Sequence, residues 1–461
     1  ILTGDEEMPD WPVEGTTGYE ANDRITRLLL DEAGMDRLDA MWRGVTGARG
    51  DYEAACRAAR HQILSGDLAA ELREMQRRAG AALEEAGQTL PDETLREALR
   101  EMLVAFPRYR SYIAADGPSA EDRALLDQTV AIATDAGADK AALDMLREIL
   151  LSPRGQIGAA FVVRFQQVSG AVVAKAQEDT AFYRHTRCLA EAEVGSEPDA
   201  APLAGPAFEA WCKTRLARWP SAMSLGSSHD TKRAEDARAR LVAMTHLPAE
   251  VAELWVQAHT LEAPEPPDEA TRWYILQSAI ALWEPDRDDL EARLAAHLEK
   301  ALREAKELTD WHEPDEEAES RAADFAGALL GAWREAPPAA LEALVARGEA
   351  LSLSQLALRF VIPGLPDIYQ GSETGTFALT DPDNRAPLDP DAPVSAFGAR
   401  KLALVKELVD LRRALPELFA AGSCSVTEDG ERITLTRAQG GAQVALTVLT
   451  DGTAAPELTR S

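Results

Sequence analysis

A histidine next to a carboxylate, with two cations close behind, is the pattern in this sequence that most directly suggests chemistry. The residues are His229, Asp230, Lys232 and Arg233, and they follow a short apolar run at 222–225. An apolar run that ends in small polar residues predicts a strand carrying His229 and Asp230 at its carboxyl-terminal tip, where barrel enzymes have their active sites. Such a set suits a polyhydroxylated ligand, which needs directed hydrogen bonds and a negative charge near a developing cation. The structural alternative stays open: Asp230 caps the next helix, and both cations are solvated.

The density of charged and aromatic side chains at 175–184 is too high for a plain amphipathic helix. Such a set either forms a satisfied ion network or lines a sugar groove, and the sequence leaves both alternatives open. The residues concerned are Lys175, Glu178, Asp179, Tyr183 and Arg184.

Tyr19 follows an irregular opening segment that is rich in proline and glycine. Residues 13–17 are predicted to form a short strand, and Gly18 allows a tight turn that leaves Tyr19 at the strand end. Tyr19 either stacks on a ligand or closes a small core.

A second polar turn follows the segment 361–373, where two prolines and two glycines interrupt a short apolar stretch around Tyr369. This composition suits a buried barrel strand whose tip must bend. The turn at 381–385 has the residues of an Asx-turn, and it brings Arg385 within reach of a ligand. A plain Asx-turn with a solvated arginine is the open alternative.

The elements that must position these groups are mostly helices. From Asn22, the predicted cap of the first helix, to about residue 178, apolar residues recur every three or four positions among Ala, Leu, Glu and Arg. At the other end, an Asp-Gly turn between alternating segments predicts a hairpin with a third strand. The predicted strands cover 423–427, 433–436 and 444–449.

The composition narrows the classes of function. The chain has 461 residues, with 78 acidic and 48 basic side chains and a formal charge of -30. This balance argues against nucleic acid and anionic membranes as partners. Four scattered cysteines predict small core residues in a reduced, cytoplasmic compartment. We find no apolar stretch near the length of a membrane span, no HExxH motif, no phosphate-binding glycine loop and no GxSxG elbow.

Four motifs agree in order and spacing with one family. Three of them lie at 15–19, 175–184 and 229–236, and the His-Asp-Thr-Lys-Arg string of the third is the most specific. The fourth combines 363–371 with 381–385. On these motifs the chain resembles the maltooligosyl trehalose synthases, which belong to the α-amylase family of glycoside hydrolases and transglycosylases. The resemblance covers nearly the whole chain and weakens towards its C-terminal end.

The resemblance implies a fold class. The chain would be predominantly α-helical with short strands, as the C-terminal part of an α-amylase-type (β/α)8 barrel, about its last three strands, with a large helical insertion and a small C-terminal β-domain. Residues 1–21 would hold the strand-six region and 22–206 the helical insertion. Residues 207–418 would hold strands seven and eight, and 419–461 the β-domain.

The resemblance also implies an activity, which is intramolecular transglycosylation. The reducing-end α-1,4 bond of a maltooligosaccharide becomes an α,α-1,1 bond, so that a trehalose unit ends the chain. No metal or organic cofactor, a cytoplasmic location and functional coupling to a maltooligosyltrehalose hydrolase are implied as well. Two other functions stay open: a related α-glucan hydrolase or glucanotransferase, and a non-catalytic helical carbohydrate-binding remnant.

The resemblance implies roles for the residues at the matching positions of this sequence. Asp230 matches a carboxylate that stabilises the distorted, cationic transition state, and His229 matches an imidazole that binds the same sugar. The residues implied to hold the displaced reducing glucose, with water excluded, are Tyr19, Lys232, Arg233 and Tyr369. The residues implied to line the substrate groove are Lys175, Glu178, Asp179, Tyr183, Arg184, Asp383, Asn384 and Arg385.

The chain departs from the family in the two carboxylates that exchange the bond. Retaining glycosyl transfer uses a nucleophile and a general acid/base about 5 Å apart, and in the family both lie upstream of the motif at 15–19. Residues 1–2 resemble the pair just after the acid/base, so both carboxylates are expected to be missing and the chain alone to be inactive. Neither Glu14, Glu20 nor Glu373 has the context to replace them.

Overall fold

Helices account for 59% of the chain and strands for 8%, which confirms the predominantly α-helical class. The structure is a computed structural model, and it describes residues 2, 4, 6, 8–263, 265–389, 391 and 393–461. The expectation for residues 1–2 therefore rests partly on Ile1, which lies outside the described residues. The barrel segments and the boundaries predicted from the resemblance stay predictions.

The chain divides into two units: a larger one of residues 1–49 and 186–461, and a smaller one of residues 50–185. The helices are α1 Tyr19–Leu28, α2 Glu32–Thr46, α3 Tyr52–Ser65, α4 Ala69–Glu85, α5 Asp92–Ala105, α6 Ala120–Asp135, α7 Lys140–Leu151, α8 Gly155–Val173, α9 Gly205–Arg218, α10 Glu235–His246, α11 Pro248–Thr260, α12 Glu269–Leu282, α13 Leu290–Ala305, α14 Glu316–Glu335, α15 Ala339–Val361, α16 Ala396–Ala414 and α17 Pro416–Ala421. The strands are β1 Met223–Ser224, β2 Leu365–Pro366, β3 Ser423–Asp429, β4 Arg432–Gln439, β5 Ala442–Leu449 and β6 Glu457–Arg460.

Helices α3 to α8 build the smaller unit around one apolar core. A capping box sets the start of α6: the Ser119 hydroxyl accepts the N–H of Asp122 at 3.0 Å, and the Asp122 carboxylate accepts the N–H of Ser119 at 2.9 Å. A cap of this kind stabilises a helix by about 1 kcal/mol. Helix α8 continues into a π-helix, Ala174–Glu178, whose wider turn explains why the sequence there does not fit a plain amphipathic helix.

The run Gly155–Tyr183 is long and apolar enough to cross a membrane, so the expectation that no stretch approaches that length was wrong. Half of its most apolar window is buried, and Phe161, Phe165 and Val172 belong to the apolar core of the smaller unit. The rings of Phe106 and Phe165 meet edge to face with 5.5 Å between their centroids. The run is therefore a core helix of this unit.

In the larger unit, β1 and β2 run parallel, with Met223 opposite Leu365 and Ser224 opposite Pro366. Both strands lie where the sequence predicts them, but β2 is not buried as predicted, since Leu365 is 52% exposed. Because the strands are parallel, the loops that follow them leave the sheet at the same edge. This edge receives the segments that contain His229 and Tyr369.

The opening of the larger unit differs from the prediction. Residues 13–17 form no strand, and the N-cap of α1 is Gly18, not Asn22. The reason is a close approach to β1: Thr16 accepts the N–H of Met223 at 3.0 Å, and Gly18 has a φ of 99° with no room for a Cβ against the Met223 carbonyl. Only glycine adopts that conformation at low cost. The side-chain oxygen of Asn22 accepts a hydrogen bond from Arg238 at 2.5 Å.

The C-terminal strands form an antiparallel sheet in the order β3-β4-β5-β6. The three predicted strands are confirmed, each longer than predicted, and β6 had not been predicted. Side chains alternate in burial along β4 and β5, as expected when one face is covered. The four cysteines, Cys56, Cys188, Cys212 and Cys424, are free and buried, as predicted.

Candidate functional site

His229 and Asp230 lie together on the loop between β1 and α10. The imidazole Nε2 is 3.2 Å from Asp230 Oδ2, and the two side chains are 62% and 54% exposed. Helix α10 begins at Glu235 with Ala234 as its N-cap, so the alternative in which Asp230 caps a helix is excluded. The pair is open to solvent on the carboxyl-terminal side of β1.

The loop that carries the pair is fixed by its own hydroxyl groups. Ser228 Oγ accepts the N–H of Asp230 at 3.1 Å and the N–H of Thr231 at 3.2 Å. The Tyr19 hydroxyl is 2.9 Å from the same Ser228 Oγ, and the Tyr19 ring is buried in a small apolar cluster with Leu225. Tyr19 therefore closes a small core and supports the loop, and its predicted contact with a sugar stays a prediction.

The polar turn after β2 reaches the same loop. Asn384 Nδ2 donates to the carbonyl oxygens of Ser228, His229 and Thr231 at 3.2, 3.3 and 3.1 Å. The Arg385 guanidinium donates to the His229 carbonyl at 3.2 Å and lies 3.3 Å from Asp230 Oδ1. Four of the predicted site residues thus meet in one cluster, which we call the exposed cluster: His229, Asp230, Asn384 and Arg385.

Asp383 and Tyr369 lie at the same edge but differ in what they contact. The Asp383 carboxylate accepts two hydrogen bonds from Arg293, at 2.8 and 3.0 Å, and the N–H of Leu379 at 2.8 Å. Tyr369 is half-buried in the segment that follows β2. Asp383 is therefore bound within the protein, and the sugar contacts predicted for both residues stay predictions.

Lys232 and Arg233 turn into the protein. Their side chains are buried, and their backbone N–H groups donate to the two carboxylate oxygens of Glu193 at 2.7 and 3.1 Å. The Arg233 guanidinium donates to the Ala192 carbonyl at 2.8 Å. Glu193 fixes the backbone directly after Asp230, and sequence reasoning missed it because nothing distinguishes this glutamate from its neighbours along the chain.

The acidic end of the motif at 229–236 is buried completely. Arg359 binds both carboxylate oxygens of Glu235, at 2.7 and 3.1 Å, and Lys401 binds Glu235 at 2.7 Å and Asp236 at 2.7 and 2.8 Å. Burial opposes ionisation of Glu235, but the charges of Arg359 and Lys401 outweigh it and hold the pKa of Glu235 well below its usual value. We call these four residues the buried cluster.

The five predicted groove residues at 175–184 belong to the smaller unit. Lys175 Nζ lies 2.7 Å from Asp179 Oδ2, with the two side chains 54% and 30% exposed. Tyr109 donates a hydrogen bond to the Glu178 carboxylate, and Arg184 donates one to the Gln62 side chain. Tyr183 is buried. These contacts fit the ion-network alternative in part, and the groove stays a prediction.

A cavity of about 500 Å³ lies elsewhere in the larger unit. Its lining includes Trp211, Trp219 and Ala222, which precede β1, and it includes none of the residues predicted to bind a sugar. Among the residues that the structure describes, no group of three or more His, Cys, Asp or Glu side chains could hold a metal ion.

Solved structures establish the fold of the chain. A hypothetical maltooligosyl trehalose synthase of Sulfolobus tokodaii matches with a TM-score of 0.79 over 98% of this chain and 59% of that one, and at 24% identity it shows the fold alone. The maltooligosyltrehalose synthase of Arthrobacter ramosus matches with a TM-score of 0.82 at 31% identity, over 97% of this chain and 59% of that one. The chain therefore has the fold of the corresponding part of these proteins.

The curated relatives carry one name. A protein of Mycobacterium tuberculosis, provisionally named maltooligosyl trehalose synthase, is 33% identical over 443 residues, which are 92% of this chain and 54% of that relative. No family model matches the chain. The chain is similar to the maltooligosyl trehalose synthases over 92% of its length, and it spans about half the length of the curated relatives it matches.

Proposed function

We propose that the chain is the substrate-holding part of an isomerase, a cytoplasmic maltooligosyl trehalose synthase. The reaction is intramolecular transglycosylation, which converts the reducing-end α-1,4 bond of a maltooligosaccharide into an α,α-1,1 bond. A maltooligosyltrehalose hydrolase would consume the product. The observation that carries the proposal is the exposed cluster, in which a carboxylate, an imidazole and a guanidinium meet at the tip of β1.

The geometry of Asp230 suits a grip on ring hydroxyls. Its two oxygens contact His229 at 3.2 Å and Arg385 at 3.3 Å, at the long end of hydrogen-bond distances. Because all three side chains are about half exposed, sugar hydroxyls can displace these contacts at small cost. A carboxylate held in this way stabilises positive charge that develops on the sugar ring in the transition state.

The retaining pair of carboxylates is proposed to lie outside this sequence. The acidic residues next along the chain, Glu235 and Asp236, are fully buried and bound by cations, so they are not available as nucleophile or general acid. The parallel pair β1 and β2 supports the assignment of these strands as strands seven and eight of a (β/α)8 barrel. The chain alone would then bind maltooligosaccharides without turnover.

The remaining predicted residues take different proposed roles. Lys232 and Arg233, being buried, would act by fixing the loop after Asp230, while the half-buried Tyr369 would contact the displaced glucose. In the smaller unit, the exposed Lys175–Asp179 pair is the proposed sugar contact.

Product analysis tests the activity. The chain alone should bind maltohexaose and leave the number of reducing ends unchanged. Joined to the remaining part of the Mycobacterium tuberculosis relative, it should consume reducing ends and form a product with an α,α-1,1 bond. A hydrolase would increase the reducing ends, and a binding remnant would leave them constant in the joined protein as well.

Asp230→Ala in the joined protein tests the role of the carboxylate. We expect turnover to fall by several orders of magnitude, because a contact made in the transition state is lost, while the free energy of unfolding stays the same. Asp410→Ala is the matched control, since Asp410 is also an exposed carboxylate close to an arginine. Near-normal turnover of the Asp230 variant would exclude the proposed role.

A further inference from the structure

Helix α13 presents two cations to the turn that carries Arg385. Arg293 and Lys300 are seven residues apart, which is about two helical turns, so they lie on the same helix face. Arg293 donates to both oxygens of the Asp383 carboxylate, at 2.8 and 3.0 Å. Lys300 Nζ donates to Asp381 Oδ1 at 2.5 Å and to the Asp381 carbonyl at 3.2 Å.

The same helix also fixes the backbone that leads into the turn. Arg293 Nη2 donates to the Phe377 carbonyl at 2.6 Å, and the N–H of Leu379 donates to Asp383 Oδ2 at 2.8 Å. The side chains of Arg293 and Asp383 are each only 15% exposed. An ion pair in such a position is screened by salt less than an exposed one.

The turn connects the residues that α13 binds to the exposed cluster. Asn384 and Arg385 follow Asp383 directly, within one short 3-10 helix, Asp383–Arg385. Asn384 donates to carbonyl oxygens on both sides of Asp230, and Arg385 contacts the Asp230 carboxylate itself. A continuous series of hydrogen bonds therefore joins α13 to Asp230.

We propose that Arg293 and Lys300 are positioning residues for Asp230. Neither belongs to the exposed cluster; they act by holding the turn from which Asn384 and Arg385 reach the loop at 227–231. The expected loss of sugar affinity rests on the proposed function. The expected loosening of the turn at 381–385 and of the loop at 227–231 rests on the contacts alone. The two effects can therefore be measured separately.

The test replaces Arg293 by methionine, which keeps a long side chain and removes the charge. The readouts on the full chain are amide hydrogen exchange, at Leu379 and at Asp230 and Thr231, and maltohexaose affinity by calorimetry. We expect exchange at these amides to become at least tenfold faster and the affinity to fall at least tenfold. Arg293→Lys should restore part of both, because a lysine keeps the charge but donates from a single nitrogen.

Arg303→Met is the matched control on the same helix. Arg303 binds both carboxylate oxygens of Glu319 at 2.7 Å, so its loss removes a comparable ion pair that does not involve the turn. If the amides of Leu379, Asp230 and Thr231 exchange no faster in Arg293→Met than in this control, the proposal is overturned. If the wild-type chain fails to bind maltohexaose while Arg293→Met still speeds exchange, the positioning role stands and the proposed function fails. Should Arg293→Met not fold, Lys300→Met tests the second ion pair by the same criterion.

Discussion

The exposed and buried clusters lie a few residues apart in the motif at 229–236 and are built from similar residue types, yet they differ in burial at every side chain except Asn384, which is buried in the exposed cluster as well. In the exposed cluster the side chains of His229, Asp230 and Arg385 are between 49% and 62% exposed, and their contacts measure 3.2 and 3.3 Å. In the buried cluster the side chains of Glu235 and Arg359 are 1% and 2% exposed, and their closest contact measures 2.7 Å. The first is accessible to a ligand, whereas the second is part of the scaffold.

The difference shows how desolvation separates side chains that are accessible to a ligand from side chains that form the scaffold within the motif at 229–236. An exposed ion pair contributes only about 0–1 kcal/mol, so its groups can exchange one partner for another. Charges in the interior have already lost their water, and removing one partner leaves the other uncompensated. The motif at 229–236 therefore combines exposed side chains that can exchange their partners with buried side chains that cannot.

Lys401→Met should have the largest effect on stability. The Lys401 ammonium is fully buried and lies 2.7 Å from both Glu235 and Asp236. Because methionine fills a similar volume without the charge, two carboxylates would share one cation fewer, and the free energy of unfolding should fall by about 3–5 kcal/mol. Urea denaturation measures it, with Lys406→Met, an exposed position on α16, as control. A loss as small as that of the control would contradict the scaffold role.

Glu191 can be compared with Glu235 because both carboxylates are buried. The cation next to Glu191 is Arg187, at 2.7 Å. Burial raises the pKa of Glu191 to about 8, although Arg187 works in the opposite direction. A raised pKa in the folded state means that the contribution to stability is complete below the ordinary glutamate pKa of 4.5 and is lost as the pH rises towards 8. For Glu235, whose pKa is lowered, the contribution is complete above 4.5 and is lost as the pH falls.

Glu191→Gln tests this difference in sign. The glutamine cannot ionise, so the stability of the wild type relative to the variant should fall by about 3–4 kcal/mol between pH 5 and pH 8. Urea denaturation at both pH values measures it, with the exposed Glu417→Gln as control. If the wild type and the variant change in parallel with pH, the pKa of Glu191 is not raised.

Local signals explain which parts of the molecule could be predicted from sequence. The Asp-Gly turn at 429–430 acts over a few residues, and the hairpin that it joins was predicted. The loop with His229 and Asp230 was also recognisable, since an apolar run followed by polar residues is a local pattern. These features depend on neighbours along the chain.

The supporting residues could not be predicted, because their partners are distant in sequence. Glu193 binds the backbone of Lys232, and Arg293 binds Asp383, across 39 and 90 positions. The start of α1 was mispredicted for the same reason, since the left-handed conformation of Gly18 accompanies its close approach to β1. Burial decides the role of a charged side chain, and burial is a property of the whole fold.

Arg385→Met should have the smallest effect on stability, and this is what makes it informative. Its side chain is 49% exposed and 3.3 Å from Asp230, so the free energy of unfolding should change by less than about 1 kcal/mol and less still at high salt. Maltohexaose affinity should nevertheless fall by up to about fivefold, because Asp230 loses the group that orients one of its oxygens and an exposed contact of this kind contributes up to about 1 kcal/mol. Arg413→Met, at an exposed arginine close to Asp410, is the control for both readouts. A stability loss comparable with that of Lys401→Met would mean that the exposed cluster is scaffold as well, because only groups that are already desolvated carry such a cost.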